Sequence, residues 1–362
     1  MLKRTLSALC AVVALSVGVC CAQADTLNLP VPAGQTAADE PQPVKKRQPL
    51  EVNFDVRADW QLNTPSVDGG KAESAFTGRF LNVIINGNIT DQFSYHFRHR
   101  INKQNLTQDF FEATDFAYLK YKVNNQWEFT AGKGVVGIGG FEYDAAPIDV
   151  YYYSIGGSNL PTCYEFGVSS RYTTKKGNNN FFLQITNSPF TSKSYRFEGL
   201  YSYNLMWYGD FKVFKTIYSV NMIEYRQNQY INYIALGNQF NFGPVSWYID
   251  YLNRYALKGN FFTDFSVMSR LTYNILDRAD IFVKGGIDYN MSQSASTPEA
   301  DIWDTVVLPG TCRGFYGAGV EFYPMKNSRD LRLHAFWYSN SDNVKQHSVG
   351  VGLRWLLRAY KH

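Results

Sequence analysis

The sequence predicts an all-β chain, a transmembrane antiparallel outer-membrane β-barrel of about 16 strands. Three observations predict it: an export signal, period-two alternation from residue 50 to the end, and connections that alternate between short and long. Aromatic residues make up 16% of the 362 residues, while mean hydropathy stays mildly negative. A membrane barrel produces that combination, because only every second residue meets lipid and aromatics gather at the two interfaces.

The export signal comes first. Lys3 and Arg4 precede an apolar run from Leu6 to Cys21, and Ala22-Gln23-Ala24 supplies a small-x-small cleavage pattern. Residues 1–24 therefore read as a signal peptide, since the run is short of the ~20 residues a spanning helix needs. Cys20 and Cys21 leave a lipoprotein reading open, although Val19 stands where a small residue is wanted. Residues 25–49 hold five prolines and little apolar content, the composition of an extended leader in the periplasm. Residues 50–362 form the barrel domain.

Within that domain the expected strands are 51–62, 76–89, 92–101, 114–123, 126–134, 161–173, 179–187, 196–208, 211–219, 230–242, 245–254, 261–274, 279–290, 313–323, 329–338 and 346–357. Thr90-Asp91, Asn124-Asn125, Gly209-Asp210, Gly243-Pro244 and Leu276-Asp277-Arg278 read as tight turns. Stretches 102–113, 135–160, 220–229 and 291–312 read as long loops. Outer-membrane barrels sort their connections this way, and soluble sandwiches do not.

Alternation also assigns faces. Phe93, Tyr95 and Phe97 oppose Ser94, His96, Arg98 and Arg100; Val349, Val351, Leu353 and Trp355 oppose Ser348, Gly350, Gly352 and Arg354. The apolar set belongs in lipid and the polar set faces a lumen. Sixteen strands enclose more space than wall side chains fill, so an aqueous channel remains unless a loop plugs it.

The inward basic residues on this reading are Arg98, Arg100, Lys120, Lys122, Arg171, Arg196, Lys212, Arg254, Arg270, Lys284, Arg332 and Arg354. The inward acids are Glu128, Glu165, Glu198, Asp250, Asp288 and Glu321. An excess of bases lowers the barrier for anions; the alternative is a balanced web of ion pairs that only stiffens the wall.

Two stretches resemble a known family. One is Gly78-Arg79-Phe80 with Gly87-Asn88-Ile89-Thr90-Asp91 and Phe93-x-Tyr95. The other is Ala113 to Tyr121 followed by Trp127 to Lys133. Together they resemble the phosphate-selective porins of the O and P type, in the divergent form common among Bacteroidetes. The resemblance implies a sixteen-stranded outer-membrane porin of Gram-negative type, usually a homotrimer, that passes small hydrophilic solutes and has its third external loop folded inward as a constriction. Loop 135–160 holds that place, with Glu142, Tyr143, Asp144, Asp149, Tyr151, Tyr152 and Tyr153 as its candidate residues. Its acids, set opposite lumen arginines, would create a transverse field; the alternative is a loop folded over its neighbours at the surface. It contains no Lys or Arg, so the resemblance carries over fold and pore formation but not phosphate selectivity. A further departure is the C-terminus, where Arg358 to His362 trail beyond Trp355 and Tyr360.

Other chemistries are poorly supported. His96 and His99 fall on opposite faces of one strand, and two cysteines in the mature chain, Cys163 and Cys312, are too few for a usual zinc set. They form a disulfide or remain inert thiols. No nucleophile-elbow or phosphate-loop pattern occurs, and no basic block suggests nucleic acid at a net charge of +4. No enzyme, cofactor or metal is expected. The rival functions are a non-conducting structural or assembly barrel and a soluble secreted β-protein. The outward aromatic faces argue against the latter, since in water they would drive aggregation.

Overall fold

The computed structural model describes residues 50–65, 70–103, 109–154, 163–190, 199–255, 262–291, 307, 309–341 and 346–361. The expected signal peptide and leader, and the expected inward residues Arg196 and Glu198, lie outside the described residues. The strands are β1 (Glu51–Pro65), β2 (Glu73–Asn88), β3 (Phe93–Arg100), β4 (Thr114–Lys122), β5 (Trp127–Val135), β6 (Tyr164–Thr173), β7 (Asn179–Asn187) and β8 (Tyr201–Phe211). The second half comprises β9 (Phe214–Arg226), β10 (Gln229–Phe242), β11 (Val245–Tyr255), β12 (Asp264–Ile275), β13 (Ala279–Asn290), β14 (Thr311–Phe322), β15 (Leu331–Asn340) and β16 (Gln346–Lys361). Each strand pairs with the next, and β1 closes on β16 from Glu51↔Lys361 to Pro65↔Gln346. Closure leaves no sheet edge at the seam, which a structure surrounded by hydrocarbon requires. Among the described residues no helix is long and apolar enough to cross a membrane; the crossing elements are strands.

Alternation explains the faces. On β16, Val349, Val351, Leu353 and Trp355 point out while Ser348 and Gly350 are buried inside. Outward aromatics pack near the short turns, stacked in Phe93–Tyr121 (centroids 4.6 Å apart) and tilted in Phe214–Phe240 (5.2 Å). Val283 lies mid-strand on the outer face, 51% exposed. Val283→Arg should therefore destabilise the barrel by about 2–4 kcal/mol, the cost of a midplane cation. Equilibrium refolding from urea into lipid vesicles checks this, and an unchanged midpoint would place the band elsewhere.

The short turns have local causes. The Thr90 hydroxyl accepts from the Gln92 and Phe93 N–H groups, and the Asn124 side-chain Oδ1 from those of Gln126 and Trp127. The expected long loop at 220–229 is a correction. β9 runs on to Arg226 and meets β10 through Gln227-Asn228, with Asn228 at φ 60°. Asn221 and Glu224 gave the segment a loop-like polarity. Asn221 instead bonds to a loop carbonyl inside the barrel, with apolar Ile223 buried two residues on.

Candidate functional site

The connection between β5 and β6 is folded inside the barrel. Its first turn is laid along the wall by polar groups. The Gly137 N–H donates to Gln184 on β7 (2.8 Å), the Gly139 N–H to Ser219 on β9 (2.8 Å), and Asn221 donates to the Gly137 carbonyl (2.5 Å). Val136 and Ile138 pack with Ile223, Ile231, Tyr233, Ala235 and Leu252, and Tyr143 joins them. Close approach here demands glycine. A Cβ on Gly139 would stand 2.8 Å from the Ile217 carbonyl oxygen.

A single helical turn follows, α1 (Phe141–Asp144). Its first N–H groups, on Phe141 and Glu142, donate to the Asp250 carboxylate at 2.9 and 2.7 Å. Asp250 thus satisfies helix-end donors that the loop itself leaves unbonded. The Glu142 side chain is fully enclosed, paired with Lys284 on β13 and bonded to the Ser154 hydroxyl and N–H. Tyr208 donates to Asp144 at 3.0 Å. Burial raises the Asp144 carboxyl to about 7, against which the Tyr208 bond acts only in part.

Beyond α1 the loop reaches the far wall. Arg57 on β1 donates to the Ile148 and Val150 carbonyls (3.0 and 2.9 Å). Asp149 is gripped by Arg332 on β15 (2.5 Å) and Arg354 on β16 (2.8 Å). Burial alone would raise its carboxyl, but these two guanidiniums hold it below the ordinary value. Tyr151 donates to Glu321 (2.9 Å) and stacks on Phe282 and Phe336. Tyr152 donates to the Lys284 carbonyl (3.0 Å), while Lys284 donates back to the Tyr152 carbonyl (2.7 Å). Burial raises the phenols of Tyr151, Tyr152 and Tyr153, which therefore remain neutral hydroxyls. These contacts fall on β1 and β7–β16.

The wall from β2 to β6 carries another set of charges. Arg98 (3.1 Å) and Arg100 share the carboxylate of Asp115, and Arg98 donates to the Tyr164 hydroxyl at 2.7 Å. Towards the short-turn end, Lys120 and Arg171 share Glu128 at 3.1 and 3.4 Å, and Lys122 stands exposed at the end of β4. Elsewhere Arg254 pairs with Asp264 (2.6 Å) and Arg270 with Glu321 (3.5 Å).

Several sequence expectations change. Lys212 sits in the β8–β9 turn at φ 69°, not on the wall. Glu142 and Asp149 touch their basic partners directly instead of facing them across open space. The expected two-to-one basic excess shrinks, because buried Asp55, Asp59, Asp115 and Asp280 and partly buried Asp264 are members of inward ion pairs that the strand pattern leaves unassigned. Arg57, which holds the loop, was also missed. Its signal was present in the alternation of Asn53, Asp55, Arg57 and Asp59 with Val52, Phe54 and Val56. Cys163 and Cys312 are free thiols.

No curated protein matches the chain by sequence. Among solved structures it resembles the outer membrane channel DcaP of Acinetobacter baumannii, at TM-score 0.58 and 14% identity over 85% of this chain and 97% of that one. An anion-selective porin from Comamonas acidovorans gives TM-score 0.58 and 10% identity over 85% and 99%. The trimer form of OmpT from Vibrio cholerae gives 0.53 and 11% over 85% and 100%. At such identities the likeness establishes the fold. Residues 50–255 match the family described as phosphate-selective porin O and P. That match covers more than half of the sequence, from β1 to the end of β11, and the chain belongs to the phosphate-selective porin O and P family.

Proposed function

We propose that the chain is a diffusion channel of the Gram-negative outer membrane for small hydrophilic solutes, with a modest preference for anions. The passage runs between loop 136–154 on one side and the β2–β6 wall on the other. The observation that carries this reading is the imbalance on that wall. Lys120, Lys122 and Arg171 gather at the single carboxylate of Glu128, and the nearly enclosed Arg98 and Arg100 share Asp115, whereas Glu142 and Asp149 on the loop are each neutralised by contact. Basic groups along a path lower the barrier for anions. The anion-selective Comamonas porin shares the fold, which supports the same leaning. Phosphate specificity is not proposed, since the loop brings no basic residue. Export by signal peptide 1–24, a periplasmic leader at 25–49 and a homotrimer belong to the same reading; the trimer form of the similar OmpT supports the last.

A second reading is a non-conducting barrel that serves as an anchor. It draws on how tightly the inside is packed: Asn53, Arg57, Glu142, Asp288 and Asn290 are all 0–1% exposed.

Single-channel recording of the refolded protein under a salt gradient separates the two. Stepwise openings with a reversal potential towards that of chloride are expected. A potential towards that of potassium would overturn the anion preference, and a folded barrel without openings would establish the anchor.

A further inference from the structure

The end of the barrel that carries the short turns has a distinctive rim. In turn after turn, an exposed apolar residue stands beside an exposed cation. Lys212 lies between Phe211 and Val213, 41% and 48% exposed. Arg278 stands two residues after Leu276, which is 89% exposed, with Asp277 between them. Lys326 follows Met325, and Lys361 follows Tyr360. Lys175 and Lys176 occupy the tip between β6 and β7. The exposed carboxylates at this end are Asp91, Asp210 and Asp277, half as many as these six cations, while Arg358 at the same end is paired with Asp330. At the opposite end the exposed described charges are Lys71, Arg79 and Lys103 against Glu73 and Asp109, close to balance.

A solvated basic surface has no use for exposed apolar residues beside the cations of the β8–β9, β12–β13 and β14–β15 tips. A surface lying in lipid headgroups does: the apolar side chain enters the acyl boundary while the cation stays with the phosphate. The tips continue the aromatic band just inside them, formed by Phe214, Phe240, Phe242 and Trp247, so they lie at the depth of a headgroup layer. Left-handed backbone shapes the two turns that present Lys212 and Arg278. Lys212 has φ 69°, and left-handed Leu276 and Asp277 (φ 49° and 58°) set the turn that ends at Arg278.

We propose that the short-turn rim is a binding surface for anionic phospholipid, which its ring of cations holds through the headgroup phosphates. The inference rests on the outer-membrane reading only for its setting. Outer-membrane barrels direct short turns to the periplasm, which places the rim in the inner leaflet.

Tryptophan quenching in vesicles tests it. The full-length refolded protein is placed in bilayers containing either brominated phosphatidylglycerol or brominated phosphatidylcholine; Trp127 and Trp247 lie within three residues of short turns. Phosphatidylglycerol should be preferred about fivefold at low salt, and the preference should fall towards one near 0.5 M salt, as screening shortens the reach of surface charge. The K175Q/K176Q/K212Q/R278Q/K326Q variant should lose most of the preference and still conduct. Equal quenching by the two lipids in the unmodified protein would overturn the proposal, as would a preference that the variant keeps. Inorganic phosphate at constant ionic strength should leave the preference intact. If it abolishes the preference, the rim binds free anions and not lipid. Conductance is read separately, so loss of lipid preference and failure of the channel reading are distinguishable.

Discussion

Asp149→Ala should loosen the far end of the inner loop and enlarge the pore. Asp149 is the only carboxylate in the described loop that two guanidiniums grip at once, Arg332 at 2.5 Å and Arg354 at 2.8 Å. Removing it leaves two inward cations, of which Arg354 retains Asp55 at 2.8 Å and Arg332 retains Glu321 only at 3.8 Å. Removing one partner of a fully buried pair costs about 3–5 kcal/mol. A quarter of the Asp149 side chain is exposed, so about 2–4 kcal/mol is expected here. Most of that should appear as local release and not as unfolding, because sixteen paired strands close the barrel without the loop. Single-channel recording should show higher conductance and frequent sub-levels, while resistance of the barrel to unfolding by heat in detergent stays close to the unmodified value. Asp149→Asn, which keeps the shape but not the charge, should lie between the two. Unchanged conductance in Asp149→Ala would mean that Arg57 and the Tyr151–Phe336 stack hold the loop unaided.

The strand count, the facing of Arg98, Arg332 and Arg354, and the inward place of Asp250 and Glu321 all followed from period-two alternation, a local property. Which strand Asp149 would meet is not local. Arg332 is 183 residues away in the chain and Arg354 is 205, and both come within reach only because closure brings β15, β16 and β1 opposite β5. For the same reason the loop acids looked like free charges facing a field, when each had a partner on the wall. Other errors were local. Asp115 lies beside a register shift between Arg98 and His99, and such an irregularity breaks the two-residue rhythm that assigns faces. The segment 220–229 read as a loop because Asn221, Glu224 and Arg226 are polar. On a wall packed against a folded-in loop, however, polar residues also face inward, and polarity no longer separates strand from loop. Extending the rhythm through the β8–β9 turn puts Lys212 on the wall, but left-handed backbone at Lys212 ends the rhythm there.

The charge on the β2–β6 wall leads to the largest functional effect expected. Lys120, Lys122 and Arg171 cluster around the single carboxylate of Glu128 near the short-turn mouth. Lys120 and Arg171 keep 23% and 19% of their side chains exposed. They are open enough to act on a passing ion, unlike Arg98 or Arg332, which are nearly enclosed. A unit charge about 4 Å from an ion contributes about 1 kcal/mol even at the dielectric constant of water, and salt weakens this by screening. Lys120→Glu/Lys122→Glu/Arg171→Glu alters the wall by six charges. The chloride-to-potassium permeability ratio should then fall by at least about tenfold, the equivalent of roughly 1.4 kcal/mol, and reverse in sense. The effect should be largest at low salt and shrink as ionic strength rises. The same reversal at Arg332 and Arg354 should instead disturb the loop, because those groups act on Asp149 before they act on an ion. If the triple variant folds, conducts and keeps the original reversal potential, the permeating ion does not pass along β4–β6. The passage would then lie out of reach of these three charges, and it could not run between Tyr151 and the β13–β15 wall, where Tyr151 is packed against Phe282 and Phe336.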